Sequence, residues 1–184
     1  NSPDYLLDFK NINVYKDPIV KNYDGLDICL VPWINTDNYD DVEEFLGICK
    51  ADIAMIHGEI TGAMVTPGHY QGGGTPPKFF KRFEQVYSGH FHHKSELANI
   101  QFLGSQMEFT WNDFNNAKYF HILDTETREI EAVHNPLKMF HKIFYDDTEE
   151  TLMKIKKKEF SHLKDTFVKV IVVNKNEPYW FDVF

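Results

Sequence analysis

The residues best suited to chemistry are histidines that close two apolar runs. Tyr87-Ser88-Gly89-His90-Phe91-His92-His93 ends the longer signal with a glycine followed by imidazoles. If that segment stays extended, alternate residues point the same way. His90 and His92 then face one pocket, and His93 points away from it. The run Ala51-Asp52-Ile53-Ala54-Met55-Ile56-His57-Gly58 also ends on a histidine and a glycine. Ligands collect at the C-terminal edge of strands in α/β sheets, so strands ending in this way predict a shared site. Imidazole nitrogens are borderline-soft donors that suit zinc, manganese or iron. When neutral, they ligate without adding negative charge that would repel a phosphate.

Other residues carry weaker signals. Glu59 follows His57 closely, either as a carboxylate that orients an imidazole or as an ordinary strand-end charge. His69, in Pro67-Gly68-His69-Tyr70, lies in a long connection and is a candidate contact to a nucleic-acid substrate. The Lys154, Lys156, Lys157, Lys158 cluster offers phosphate contacts, with Lys154, Lys157 and Lys158 as the DNA-binding candidates. A solvated helix face balanced by nearby acids is the competing reading. His121, His134, His141 and His162 have no convergent partners in the sequence and read as structural.

The elements that must position these groups follow from periodicity. Ile12–Tyr15 and Ile28–Trp33 are β-rich runs on either side of the turn-forming Asn22-Tyr23-Asp24-Gly25. Asp40 is placed to cap a helix over Asp41–Lys50, with Val42, Phe45, Leu46 and Cys49 at helical spacing. Ile53–His57 is a continuous apolar strand, the pattern of one covered on both faces. Strand, helix, strand in this order predicts a parallel pair. Residues 61–78, with Gly72-Gly73-Gly74 and Pro76-Pro77, read as a loop, mobile or substrate-facing. Ile100–Leu103, Lys118–Asp124 and Glu129–His134 read as antiparallel strands, the last two joined at Thr125-Glu126-Thr127-Arg128. Composition changes near Asp146, where Asp146-Asp147-Thr148-Glu149-Glu150 reads as an acidic helix start. The lysine-rich helix Thr151–Asp165 and the strand Phe167–Val173 follow.

These residues carry a family resemblance that runs along nearly the whole chain. Met55-Ile56-His57-Gly58-Glu59-Ile60 and Tyr87-Ser88-Gly89-His90-Phe91-His92-His93 resemble the last motifs of the calcineurin-like metallophosphoesterases, a lone His and then Gly-His-x-His. Val31-Pro32-Trp33-Ile34, Phe102-Leu103-Gly104-Ser105-Gln106 and Phe120-His121-Ile122-Leu123-Asp124 resemble the Mre/SbcD DNA repair nucleases, above all their phage versions, the recombination endonuclease small subunits. The resemblance implies an α/β fold, the C-terminal half of a four-layer α-β-β-α sandwich, over residues 1–145. It implies the start of a capping domain over 146–184. It also implies two divalent metal ions, most naturally manganese, with His57 and His90 on one ion and His92 on the other. DNA would be the substrate, an SbcC/Rad-type ATPase the partner, and a second copy of the chain is compatible with it. The family's opening motifs, Asp-x-His, Gly-Asp and Gly-Asn-His, do not occur in the sequence. The expectation is therefore an internal fragment, opening at Asn1-Ser2-Pro3-Asp4, with no catalytic residue of its own and inactive alone. A general phosphoesterase on a smaller phosphorylated substrate, and a non-catalytic binding or assembly module, are the alternatives.

Composition narrows the classes. The chain has 184 residues, 42% hydrophobic and 15% aromatic, enough to build a packed core. A formal charge of −9 makes the chain as a whole a poor polyanion binder, so nucleic-acid contact needs a local patch or a bound cation. Cys29 and Cys49 are too few for a disulfide framework and read as reduced core residues in a cytoplasmic protein. No apolar run approaches the ~20 residues of a membrane span.

Overall fold

The computed structural model describes residues Pro3–Phe184; Asn1 and Ser2, part of the expected fragment start, lie outside the described residues. The chain is mixed α/β, rich in sheet and poor in helix. Its contacts cluster in two compact units. One runs through Gln106 and includes Tyr119–His134; the other joins Met107–Lys118 to Asn135–Phe184. The compositional change at Asp146 thus falls inside the second unit. No helix among the described residues is long and apolar enough to cross a membrane.

The first unit begins with a hairpin, β1 (Ile19–Tyr23) and β2 (Leu26–Val31), paired antiparallel. Asp24 and Gly25 both take positive φ, 49° and 93°, as a tight two-residue hairpin turn demands. The turn was expected here, but its first strand is Ile19–Tyr23 and not Ile12–Tyr15, which is irregular. Lys16-Asp17-Pro18 is a poor strand start, and the alternation that pairs with Leu26–Val31 begins only at Ile19. Helix α1 (Tyr39–Ile48) buries Val42 and Leu46, and Cys49 just beyond it, as the spacing predicts. Its cap is Asn38, not Asp40; Asp40 and Asp41 lie in the first turn, where the helix dipole favours carboxylates.

Strand β3 (Ile53–His57) pairs parallel with β2 and with β6 (Gln85–Gly89). Between them, β4 (Met64–Thr66) and β5 (His69–Tyr70) form a small hairpin. β7 (Ser95–Leu97) and β8 (Ile100–Phe102) complete a six-stranded sheet of order β1-β2-β3-β6-β8-β7. β8 pairs parallel with β6, against the antiparallel expectation, because β7 makes the reversing turn and β8 is free to run beside β6. One sheet face packs Val42, Leu46, Phe79 and Phe80 against Cys29, Ala54 and Val86. On the other, Ile28, Ile53 and Tyr87 meet Leu123 and Ile130 from the two-stranded pair β9 (Lys118–Leu123) and β10 (Ile130–Asn135). Arg128, in the turn of that pair, reaches Asp52 at 3.2 Å and Glu84 at 2.6 Å, the residues just before β3 and β6. It fastens the pair to the N-terminal edge of the sheet. Cys29 and Cys49 are buried free thiols, as expected. Burial first, and then Cys49, raises the Cys29 thiol far out of the reactive range.

The second unit is built on β11 (Phe140–Asp146) and β12 (Phe167–Asn174), a parallel pair. The acidic run expected to start a helix instead ends β11. Buried Asp147 accepts hydrogen bonds from the Asn176 and Glu177 amides and the Tyr145 hydroxyl. That tertiary use outweighs its value at a helix start. Helix α2 is only Leu152–Lys156, not Thr151–Asp165. Lys154 with Lys157 and Lys158 would stack like charges one turn apart if the helix continued. Buried Glu108 accepts from the Met139 and Phe140 amides, at 2.7 and 2.9 Å.

Asp113 and Lys118 form a buried ion pair at 2.8 Å, with side-chain exposures of 1% and 2%. Asp113 also accepts from the Phe109 and Thr110 amides and the Thr110 hydroxyl. Asp113→Ala takes away the carboxylate that faces a buried ammonium and the acceptor for the Phe109 and Thr110 donors. We expect a loss of about 3–5 kcal/mol in urea denaturation. Replacing Lys118 as well, by an apolar residue of similar volume, should recover the part of the loss owed to the unpaired charge but not the Phe109 and Thr110 hydrogen bonds; an equal loss in the double variant would contradict this account.

Candidate metal centre

Strands β2, β3 and β6 are mutually parallel, so their C-terminal ends lie at one edge of the sheet. Trp33 leaves β2 there. Asn38 fixes its backbone: the side-chain amide donates to the Trp33 carbonyl at 3.0 Å, while Oδ1 accepts from the Asn35 amide. The residue that starts α1 therefore also places the tryptophan. His57 ends β3, directly opposite Gly89 of β6. A Cβ on Gly89 would stand 2.7 Å from His57 Nδ1, so the imidazole occupies the space that glycine leaves.

His90 follows with φ of 92°, a region that non-glycine residues rarely enter. Such a backbone persists only when its surroundings over-determine it. Here the ring lies 5.1 Å from Trp33, 5.5 Å from His57 and 4.9 Å from Phe91, centroid to centroid. Its Nε2 faces Glu59 Oε1 at 3.4 Å. Trp33 also touches His57, at 6.0 Å. The structure thus gathers Trp33, His57, Glu59 and His90. Glu59, open in the sequence between an orienting carboxylate and a strand-end charge, lies beside His90, and Trp33, given no role there, lies against both rings. A large aromatic residue just past a strand end was the available signal.

His92 and His93 are half-buried in a bend. The alternation argument for His92 does not hold locally, because the positive φ at His90 breaks the extended backbone. The His92 carbonyl instead accepts from the Ser105 amide at 3.1 Å. Among the described residues no three His, Cys, Asp or Glu side chains come together as a metal-holding group. Two adjacent imidazoles backed by a carboxylate fit part of one coordination shell, and these residues alone do not complete it. His69 is exposed on β5, with Nδ1 3.3 Å from the Pro67 carbonyl. In the second unit Lys154 and Lys157 are exposed, while Lys158 is held by Glu150 at 3.2 Å.

Burial, and next the neighbouring His90, lower the His57 pKa below its ordinary value of 6.5. His57 is exposed at the end of β3, but its ring is partly shielded by the elements around it, and a proton there would face a second imidazole. The ring therefore keeps its lone pair at neutral pH, as a metal ligand must.

The chain is similar to Exonuclease subunit 1 of Enterobacteria phage T4, with 33% identity over 177 residues. The match takes in 95% of this chain and 50% of the phage protein, so the chain spans about half the length of that relative. A scan of protein-family models finds no match.

Two outcomes are expected from this geometry. Folded His57 binds its proton more weakly than the unfolded chain does. Its contribution to stability is complete above the ordinary value of 6.5 and is lost as the pH falls through the lowered folded value. An NMR titration should place His57 below the usual histidine range; a value at or above 6.5 would contradict the burial argument. Gly89→Ala should push the His57 ring aside, since a side-chain ring yields more easily than the backbone. Chemical shifts should move at His57 and Trp33, with thermal stability nearly kept.

Proposed function

We propose that the chain is the histidine-bearing part of a metal-dependent nuclease that hydrolyses phosphodiester bonds in DNA. The carrying observation is the juxtaposition of His57 and His90 at the C-terminal edge of parallel strands, in a chain similar to a phage exonuclease subunit. The name of that relative supports DNA as substrate and a protein partner. An ATPase of the SbcC/Rad type, and a role in phage recombination or double-strand-break repair, belong to the same proposal.

His57 and His90 would hold a divalent ion, manganese being our choice, and His92 would serve a second ion. A bound ion would polarise the scissile phosphate and lower the pKa of its water so that hydroxide forms near neutral pH. The chain's own residues supply the rest of what can be derived. His57 offers an uncharged nitrogen, Glu59 orients His90, and Trp33 excludes water from one side of both rings. Lys154 and Lys157, exposed in the second unit, are proposed as phosphate contacts. The remaining ligands must come from elsewhere, since no third donor joins the pair among the described residues. That observation favours a second reading, a folded assembly module without catalysis of its own.

Mn2+ titration followed by NMR should broaden His57 and His90 first, through paramagnetic relaxation. Broadening confined to other residues would defeat the metal reading. DNA cleavage with manganese, on single-stranded and duplex substrates, should stay at background for the 184-residue chain and its His90→Ala variant alike. Strong cleavage lost in that variant would show a complete site and overturn the partial-shell account. Losing a metal clamp removes orders of magnitude in rate, about 1.4 kcal/mol for each tenfold.

A further inference from the structure

The segment from Thr61 to Thr75, the glycine-rich part of the stretch 61–78 that reads as a loop in sequence, is stitched to the strand end it leaves. Ile60 and Thr75 form an isolated parallel bridge. The Thr75 amide donates to the Glu59 carbonyl at 2.8 Å, and the Thr61 amide donates to the Thr75 carbonyl at 3.1 Å. Farther out, the Gly62 amide donates to the Gln71 carbonyl and the Gln71 amide to the Ala63 carbonyl, both at 2.8 Å. The Thr61 hydroxyl closes the set on the Gly74 carbonyl at 3.2 Å. Of the three consecutive glycines only Gly74 is required. Its φ is 105°, and a Cβ there would lie 2.5 Å from the Glu59 carbonyl oxygen, whereas Gly72 and Gly73 face open space.

This stitching delivers Gln71 to Glu59. The Gln71 amide Nε2 donates to Glu59 Oε2 at 3.0 Å, which leaves Oε1 toward His90 Nε2 at 3.4 Å. The Glu59 side chain is 43% exposed, so burial does not fix it; backbone ties and one side-chain hydrogen bond do. We infer that Glu59 is a positioning residue for His90, and that the Thr61–Thr75 excursion serves to hold it. The inference rests on the reading of His90 as a ligand only for its consequence in metal binding. A contact of 3.4 Å is longer than a good N–H···O bond, so the carboxylate acts through its field. It favours the tautomer with the proton on Nε2 and leaves the Nδ1 lone pair for a cation. It also supports a ring whose backbone is strained.

The test uses the whole 184-residue chain labelled with 15N, at about pH 8, where imidazoles are neutral. Wild-type His90 should show the Nε2–H tautomer. Glu59→Ala and Glu59→Gln should both mix the tautomers, because each removes the charge, and Gln71→Ala, which only frees the carboxylate, should mix them less. A wild-type Nδ1–H tautomer, or no change in Glu59→Ala, overturns the inference. Circular dichroism should show all the variants folded. Mn2+ broadening gives the second readout, with apparent affinity about 10–100-fold weaker in Glu59→Ala and in Glu59→Gln, and less weakened in Gln71→Ala. Should Mn2+ leave wild-type His57 and His90 untouched, the metal reading fails, while the tautomers still decide the role of Glu59.

Discussion

The register that sets His57 beside Gly89 across β3 and β6 is the constraint on which the site depends. A parallel pair has no tight turn to set its alignment, so the burial pattern of both strands must do it. Ile53, Ala54 and Ile56 on β3, with Val86, Tyr87 and Ser88 on β6, are buried on the two faces of the sheet, and a slip of one residue would break the packing of both faces. It would also replace Gly89 with His90 opposite the imidazole. Gly89 lets the His57 ring lie over β6, and the chain turns at once through the unfavourable φ of His90. Packing thus places one ring, and a strained backbone places the other.

The two ends of the sheet are held in different ways. At the N-terminal edge Arg128 spans Asp52 and Glu84, an exposed ionic fastening of the kind that contributes little in water. The apolar contacts of Leu123 and Ile130 carry that attachment. At the C-terminal edge the residues are held by hydrogen bonds of 3.0 Å, from Asn38 in the turn after Trp33 and from Gln71 across the β4–β5 excursion to Glu59. Directional bonds fix orientation more tightly than area burial does.

Much of this was legible in the sequence, for physical reasons. Ile53–His57 and its parallel neighbours follow from unbroken apolar runs, and α1 from the spacing of Val42, Leu46 and Cys49. The β9–β10 pair follows from alternation around Thr125–Arg128. Less legible were features whose cause is tertiary. β7 and β11 carry too few periodic residues to stand out beside their partners. The acidic run at Asp146 has the composition of a helix start, yet buried Asp147 serves three donors that lie outside any helix, Tyr145, Asn176 and Glu177. In the site, the histidines at 57 and 90 were readable from their positions after apolar runs. The placement of His92 was not, because alternation assumes an extended backbone and His90 abandons it. Gln71 lay hidden in a glycine-rich tract, since hydrogen bonds between distant residues leave no periodic trace.

The electrostatics of the edge bear on what it can bind. The chain carries a formal charge of −9, and the site itself contributes a carboxylate. His57 is held neutral by burial and by His90, so its imidazole does not offset that charge at neutral pH. A phosphodiester backbone approaching this edge unaided would meet a field of its own sign. A divalent cation on the imidazole pair would reverse the local sign and give the phosphate a partner. Glu59 then matters in a second way. A carboxylate behind a ligating imidazole raises the ring's basicity without taking a coordination position that water or phosphate needs. On the proposed reading, the negative net charge is compatible with a nucleic-acid substrate only if such a cation is bound.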